Sequence, residues 1–257
     1  MRFRRIITLA AACLASAALA STADAQRRPS AREVVERYVE AIGGREAIRR
    51  ATHRHTVTEV AMADVGIRMT VETFQARPNL IFVQMEVPGV GPVTSGYNGL
   101  VGWTVNPLYG ARLLEGSELA ESLRQADFDG ALDPSRAFPA MRTVGEKTVE
   151  GRPCWNVRLS SMGGMELQSC FDKETGLMVG STIRQVHEEE GLVQVESTIS
   201  DYREFDGIHM PMKYVTRVLG REMVTTVKSI SHAPIAESVF TLPTAIQTIV
   251  AQPRPRQ

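Results

Sequence analysis

His53 and His55 stand two residues apart. On a strand, alternate positions put both imidazoles on one face, where they could ligate a metal if Glu59 or Asp64 supplied a third group. Such a site would support metal-assisted hydrolysis. The pair falls where a helix gives way to the first strand, however, and Arg54 with the neighbouring threonines marks a solvated face, so both read as surface histidines. His187-Glu-Glu-Glu190 before Gly191 reads as a charged hairpin turn, and His209 and His232 as isolated strand residues.

Other bond chemistry lacks its usual signatures. There is no G-x-S-x-G to expose a serine nucleophile, and no phosphate-cradling P-loop, G-x-G-x-x-G after a strand, or H-E-x-x-H. Gly89 to Gly91 and Gly163-Gly164 read as turns. Nothing favours a particular pair of carboxylates, and no motif calls for a cofactor or a metal.

The elements that must position any site are mostly short strands. First comes a helix: Ser30-Ala-Arg-Glu33 is a capping box. Val34, Val35, Tyr38, Val39 and Ile42 then form one apolar stripe, and Gly43-Gly44 stops the helix. A shorter helix, Arg45 to Ala51, follows. From His53 the period becomes two, with Ile67, Met69 and Val71 and then Ile81, Val83, Met85 and Val87 on alternate positions. Tyr97-Asn98-Gly99-Leu100 predicts a hairpin with a type I′ turn at Asn98-Gly99. Glu118 to Asp127 reads as a helix offering Leu119, Leu123 and Ala126, and Pro134 to Ala140 as irregular or helical chain. Strands resume near Arg142 and continue to Ile230. About eleven strands are expected, near the limit at which an open sheet must curl.

One hairpin can be placed in register. With the turn centred on Met162, Trp155 faces Ser169, Val157 faces Leu167 and Leu159 faces Met165. The other side pairs Asn156 with Gln168, Arg158 with Glu166 and Cys154 with Cys170. One register thus yields an apolar face, an opposite-charge pair and a cysteine pair together. A Cys154–Cys170 disulfide is therefore predicted. It would pin the hairpin, because the spacing is far from the C-x-x-C of redox chemistry.

The basic Met1-Arg-Phe-Arg-Arg5, the apolar run Ile6 to Leu19 and the small-x-small Ala23-Asp-Ala25 read as a secretory signal peptide, residues 1–25, cleaved near Ala25. Cys13 lies in a poor lipobox. No later segment approaches the length of a membrane span, so a soluble periplasmic protein is expected. Cleavage leaves 26 basic against 28 acidic residues without basic blocks, which argues against a nucleic-acid partner. Residues 26–248 suit one mainly β domain, and residues 249–257 read as a disordered tail. The many methionines, among them Met69, Met85, Met162, Met165, Met210, Met212 and Met223, fill a core or line a site for a variable apolar ligand.

Several segments in order resemble one family: Tyr38-Val-Glu-Ala-Ile-Gly-Gly-Arg-Glu-Ala-Ile48, Gly96-Tyr-Asn-Gly99 with Gly102-Trp103, Phe171-Asp-Lys-Glu-Thr-Gly-Leu177, Ser200-Asp-Tyr-Arg-Glu-Phe-Asp-Gly-Ile-His-Met-Pro211 and Val239-Phe-Thr-Leu-Pro243. Together they are similar to the outer-membrane lipoprotein-sorting family of the LolA/LolB-like superfamily, from about Ser30 to Pro243. The resemblance implies a strongly curved, unclosed antiparallel β-barrel with helices over its concave face and a hydrophobic cavity beneath. It also implies lipid or acylated lipoprotein as cargo, with transfer partners at the inner or outer membrane. The chain departs from the carriers of that family in its glycine-ended first helix, its length and its midchain helical insertion.

On this reading the cavity is lined by Met69, Val71, Val83, Met85, Trp103, Trp155, Val157, Leu167, Met210, Met212 and Tyr214. Val34, Val35, Tyr38, Leu119 and Leu123 form the lid. Burying one 14-carbon chain gains roughly 11 kcal/mol gross, against an association cost on the order of 4 to 15 kcal/mol. A useful carrier would therefore engage two or more chains or add contacts to the cargo's head. A protein-interaction module on the same fold, binding an extended segment at a sheet edge or presenting its lid to a membrane regulator, is the alternative.

Overall fold

The computed structural model describes residues 28–162, 164–187 and 191–252. The expected signal peptide lies outside the described residues, as does the acidic end of the His187 turn.

The capping box forms as read: Ser30 Oγ accepts from Glu33 N at 3.2 Å, and Glu33 Oε2 accepts from Ser30 N at 2.6 Å. It opens α1, Ala31–Ala41, and α2 follows at Gly44–Arg50. Gly43 between them has φ 115°, and a Cβ there would stand 2.0 Å from the Gly207 carbonyl oxygen. Only glycine lets the chain turn so closely against the loop after β11.

Thirteen strands make one antiparallel sheet. They are β1 His53–Met62, β2 Ile67–Ala76, β3 Leu80–Val87, β4 Gly91–Tyr97, β5 Gly102–Asn106, β6 Gly110–Leu113, β7 Ala140–Val149, β8 Arg152–Ser160, β9 Glu166–Asp172, β10 Met178–His187, β11 Gly191–Phe205, β12 Ile208–Val218 and β13 Arg221–Ser231. Two strands exceed the expected eleven. The first strand, read from His53, forms as β1; β6, only four residues long, had no periodic signal of its own.

The sheet runs β6-β5-β4-β3-β2-β1-β13-β12-β11-β10-β9-β8-β7 and is not closed. Two meanders therefore join through β1 and β13, where His55 is opposite Ser231 and Ala61 is opposite Val224. Glu59 on β1 holds this seam, pairing with Lys228 at 3.3 Å and with Arg68 at 2.7 Å. The consequence for the site is topological. β6 and β7 are consecutive in sequence yet lie at opposite ends of the sheet, so the chain between them must cross its concave face. That crossing carries α3, Gly116–Ala126, and a 3-10 turn at Pro134–Arg136.

The β8–β9 hairpin forms in a register two residues from the one expected. Trp155 is opposite Phe171, Val157 opposite Ser169 and Leu159 opposite Leu167, and Cys154 is opposite Asp172. The reason lies in the turn. Ser161 and Met165 close it, with Ser161 N donating to Met165 O at 3.0 Å and Met165 N donating to Ser161 Oγ at 3.0 Å, which moves its centre one residue on from Met162. A shift of two keeps every side chain on its face. The cysteines are therefore diagonal neighbours, and they are still joined, with an S–S length of 2.01 Å and Cα atoms 5.5 Å apart. Arg158 likewise reaches Glu166 diagonally at 3.4 Å.

The Asn98-Gly99 turn also differs. Tyr97 is opposite Gly102, leaving a four-residue loop in which only Gly99 has a positive φ. The side-chain oxygen of Asn98 accepts from Leu100 N and Val101 N, so an Asx turn replaces the I′ geometry.

After β13 the chain forms a 3-10 turn, Glu237–Phe240, and α4, Thr244–Ala251, so the first three residues of the expected tail are the last turn of a helix. These two elements pack against β3 and β6. Ile246 is fully buried and Phe240 nearly so.

Candidate functional site: a cavity beneath the crossing segment

Helix α1 packs its Val34 side with Val157, Leu159, Phe171 and Phe138, and its Val35 and Val39 side with Ile42, Ile48, Phe128, Leu132 and Ile208. The lid roles expected of Val34 and Val35 thus become core contacts, and Tyr38 lies between the two clusters. Between α1, the crossing segment and the sheet remains a cavity of about 360 Å³. Its floor is Arg54 of β1, Gln75 of β2, Met178 of β10, and Met210 and Tyr214 of β12. Its roof is Tyr38 and Ile42 of α1, Ile48 of α2, and Phe128 and Phe138 of the crossing.

The crossing is tied down by arginines. Arg77 donates to the carbonyls of Ile48 and Ala51 at 2.9 and 2.8 Å and pairs with Asp129, so it bridges the end of α2 to the crossing. The guanidinium carbons of Arg77 and Arg54 each lie 4.8 Å from the ring centroid of Phe128. Arg45 donates to Leu132 O at 3.2 Å and pairs with Glu36 at 2.6 Å, which holds the Glu36 carboxyl below its ordinary range. Gln75 Nε2 donates to Gln125 O at 2.8 Å, fixing the end of α3.

Three phenols gather at this site. Burial pushes Tyr38 up to about 12, helped by Tyr214; Tyr202 and Tyr214 are raised for the same first reason. The Tyr202 hydroxyl donates to Met178 O at 2.8 Å. Arg54 is shifted the other way, because burial disfavours its charged form. Its contact with Gln75 Oε1 is long, 3.4 Å, and its Nε is buried without a hydrogen-bond partner among the described residues. His209 also lines the cavity and has a buried Nδ1 in the same condition.

The expected lining residues divide into groups. Met210 and Tyr214 line the cavity, and Met212 is buried but is not part of its wall. Trp155, Val157 and Leu167 face the same side but are packed under α1, with Val157 fully buried. Met69, Val71, Val83 and Met85 also face the helix side by alternation with Gln75 and Ile81, and are half-buried. Val83 lies under α3 in a smaller pocket with Ile81, Ser95, Thr104 and Leu114.

Trp103 is on the other face. It is opposite Gly96, and a Cβ on Gly96 would meet its indole at 3.1 Å, whereas its neighbour Thr104 points to α3. Trp103 is only 2% exposed and ends an aromatic row running through Phe82 and Phe74 to His55. No sequence signal announced that this face of β5 would also be buried. On α3, Leu119 packs against Gly102 while Leu123 is 40% exposed, so the lid stripe runs through Leu119, Ser122 and Ala126.

His53 and His55 belong to the face away from the cavity. His55 pairs with Glu72 at 3.0 Å and stacks on Phe74 at 4.1 Å, and Glu59 is engaged by Arg68 and Lys228. Among the described residues, no group of three His, Cys, Asp or Glu is placed to hold a metal. Arg54, read as part of a solvated face, points into the cavity instead. Phe128, Arg77 and Phe138 had no periodic signal of their own and were not anticipated.

A larger depression, about 800 Å³, lies between the α1–α2 corner and the turn at Pro134. Arg32, Glu36, Arg45, Arg49, Asp133 and Arg136 line it, a charged wall unsuited to an acyl chain.

No protein-family model matches the chain, and no curated protein sequence does. Solved structures do. A DUF1329 family protein from Desulfovibrio piger aligns with a TM-score of 0.59 at 14% identity, covering 82% of this chain and 97% of its own. A LolA superfamily protein from Nitrosomonas europaea aligns at 0.59 and 12%, covering 84% and 99%. An outer membrane lipoprotein-sorting protein domain from Vibrio parahaemolyticus aligns at 0.52 and 10%, covering 80% and 97%. The chain therefore has a LolA/LolB-like fold, the architecture that its motifs resemble.

Proposed function

We propose that this chain is a periplasmic carrier or binder of lipid or lipoprotein acyl chains, serving outer-membrane lipid or lipoprotein sorting. The observation that supports the reading most is the half-open cavity beneath the crossing segment, bounded by α1, Phe128 and Phe138 over Met178, Met210 and Tyr214. It is within the size range of small-ligand pockets, about 300–1,000 Å³. Half-buried Met69, Val71 and Met85 lie on the same face beyond the helices and extend the apolar track for a longer chain. No helix among the described residues is long and apolar enough to cross a membrane, so exchange would proceed by docking to donors or acceptors at the inner or outer membrane.

Uptake from vesicles tests this. Protein incubated with phosphatidylethanolamine vesicles carrying a radiolabelled acyl chain, then separated by gel filtration, is expected to retain label, and Met210→Asp to lose it. Equal retention by a folded Met210→Asp variant would place the chain elsewhere.

The second reading, a protein-binding module, is favoured by β7. It is an end strand of ten residues with alternate positions exposed over its first half, and it offers an unpaired edge to an extended segment.

A further inference from the structure

We propose that Arg54, Tyr38 and Tyr214 form a subsite for the oxyanionic head, a carboxylate or phosphate monoester, of a single-chain amphiphile whose tail fills the rest of the cavity. The inference rests on the lipid-binding reading and narrows its cargo.

Arg54 is half-buried, but its Nε is fully buried, and a buried charged donor is costly unless an acceptor answers it. Among the described residues, Arg54 has no ion-pair partner, and its one hydrogen bond is the long one to neutral Gln75. Its Nε has no partner at all. The Phe128 ring lies 4.8 Å from its guanidinium carbon, the phenols Tyr214 and Tyr38 are within electrostatic reach but stay neutral because burial raises them, and the Arg77 cation opposes its charge. Both phenols line the same cavity, and no hydrogen bond from either hydroxyl is made within the described residues. An unpaired guanidinium Nε and two hydroxyls without hydrogen bonds among the described residues thus share one cavity, where an oxyanion could draw on all three, and charge-assisted bonds of this kind are the strong ones.

The rest of the wall is mixed: apolar Ile42, Ile48, Phe138, Met178, Ile208 and Met210 offer room to a tail, beside Gln75, Gln125, His209 and Arg124, the last paired with Glu121. The two carboxylates at the rim are engaged, Asp127 with Arg136 at 2.9 Å and Asp133 with Ser135, so neither neutralises Arg54. The volume, near the lower limit for ligand pockets, suits one chain and not the several of a fully acylated lipoprotein. One chain alone barely offsets the cost of association. The head contacts supply the difference.

The test is competition against a dansyl-labelled fatty acid bound to the purified protein, using palmitate, hexadecyl phosphate, methyl palmitate, acetate and inorganic phosphate. Palmitate or hexadecyl phosphate should bind at least about tenfold more tightly than methyl palmitate, as expected for a charged hydrogen-bonded contact. Whichever of the two prevails identifies the head. Acetate and inorganic phosphate should not compete. In Arg54→Met the advantage over methyl palmitate should vanish while methyl palmitate binding persists. If that variant does not fold, Tyr214→Phe and Arg54→Lys carry the test, each lowering palmitate or hexadecyl phosphate affinity more than methyl palmitate affinity.

Equal binding of palmitate, hexadecyl phosphate and methyl palmitate by the wild type would overturn the head subsite and leave chain binding intact. Displacement by free phosphate or acetate at comparable concentration would make this a plain anion site and overturn the amphiphile. Failure of every chain to bind would overturn both readings.

Discussion

Arg54 places its guanidinium carbon 4.8 Å from the ring centroid of Phe128, joining a strand at the middle of the sheet to the segment that crosses the concave face. Arg77 stands at the same distance from that ring, so Phe128 holds the crossing through two cation–π contacts as well as burial. Phe128→Ala should cost about 3–5 kcal/mol. It should also raise amide exchange along residues 116–138 more than in β8 and β9. Uniform exchange in the variant would mean that the ring is ordinary core and not a clasp.

Gly43→Ala is expected to be among the most damaging single substitutions. The position needs φ 115°, and its new methyl would press on the Gly207 carbonyl while His209 N bonds to Ile42 O next door. A loss above about 4 kcal/mol, or failure to accumulate as folded protein, is the expected outcome in urea titration. A shift below about 1 kcal/mol would show that the α1–α2 corner can move away from the β11–β12 turn.

Reducing the disulfide, or replacing both cysteines by serine, should lower stability by about 3 kcal/mol for a closed loop of this size. The crosslink sits on the face away from α1, against Val149 and Val179. The cavity should therefore keep its ligand affinity in the folded Cys154→Ser/Cys170→Ser protein. A large change in affinity at unchanged fold would contradict that separation.

Three of the five tyrosines should ionise late. Burial holds Tyr38 up to about 12 and raises Tyr202 and Tyr214, whereas in the unfolded chain a phenol ionises near pH 10. The folded state then keeps protons that the unfolded state gives up. This share of stability is intact below about pH 10 and is lost as pH rises towards 12. Phenolate absorbance at alkaline pH, followed alongside circular dichroism, reads it: the late fraction should appear only as the fold is lost.

Sequence alone carried the elements well and their burial less well. The capping box, the glycine stop and the period-two runs are local signals, so α1 and most strands were legible, as was the face of each residue in the β8–β9 hairpin. The two-residue register slip was not, because it depends on the hydroxyl of Ser161 closing the turn, and a slip of two leaves the hydrophobic pattern unchanged. Trp103 was assigned to the cavity on apolar type, but a strand whose neighbours Gly102 and Trp103 are buried on opposite faces gives no alternation that marks the inner face. Arg54 misled in the opposite direction: an arginine flanked by threonines reads as solvated until the fold carries α1 and Phe128 over it.

An acyl chain held in the cavity under the crossing segment should travel with the protein through purification. Native mass spectrometry of protein exported from a Gram-negative host and purified without detergent, followed by solvent extraction, tests it most directly. An acyl-bearing species near one per protein, lost in Met210→Asp, is expected. A mass equal to the bare polypeptide, unchanged when palmitate or phospholipid is offered, would contradict it.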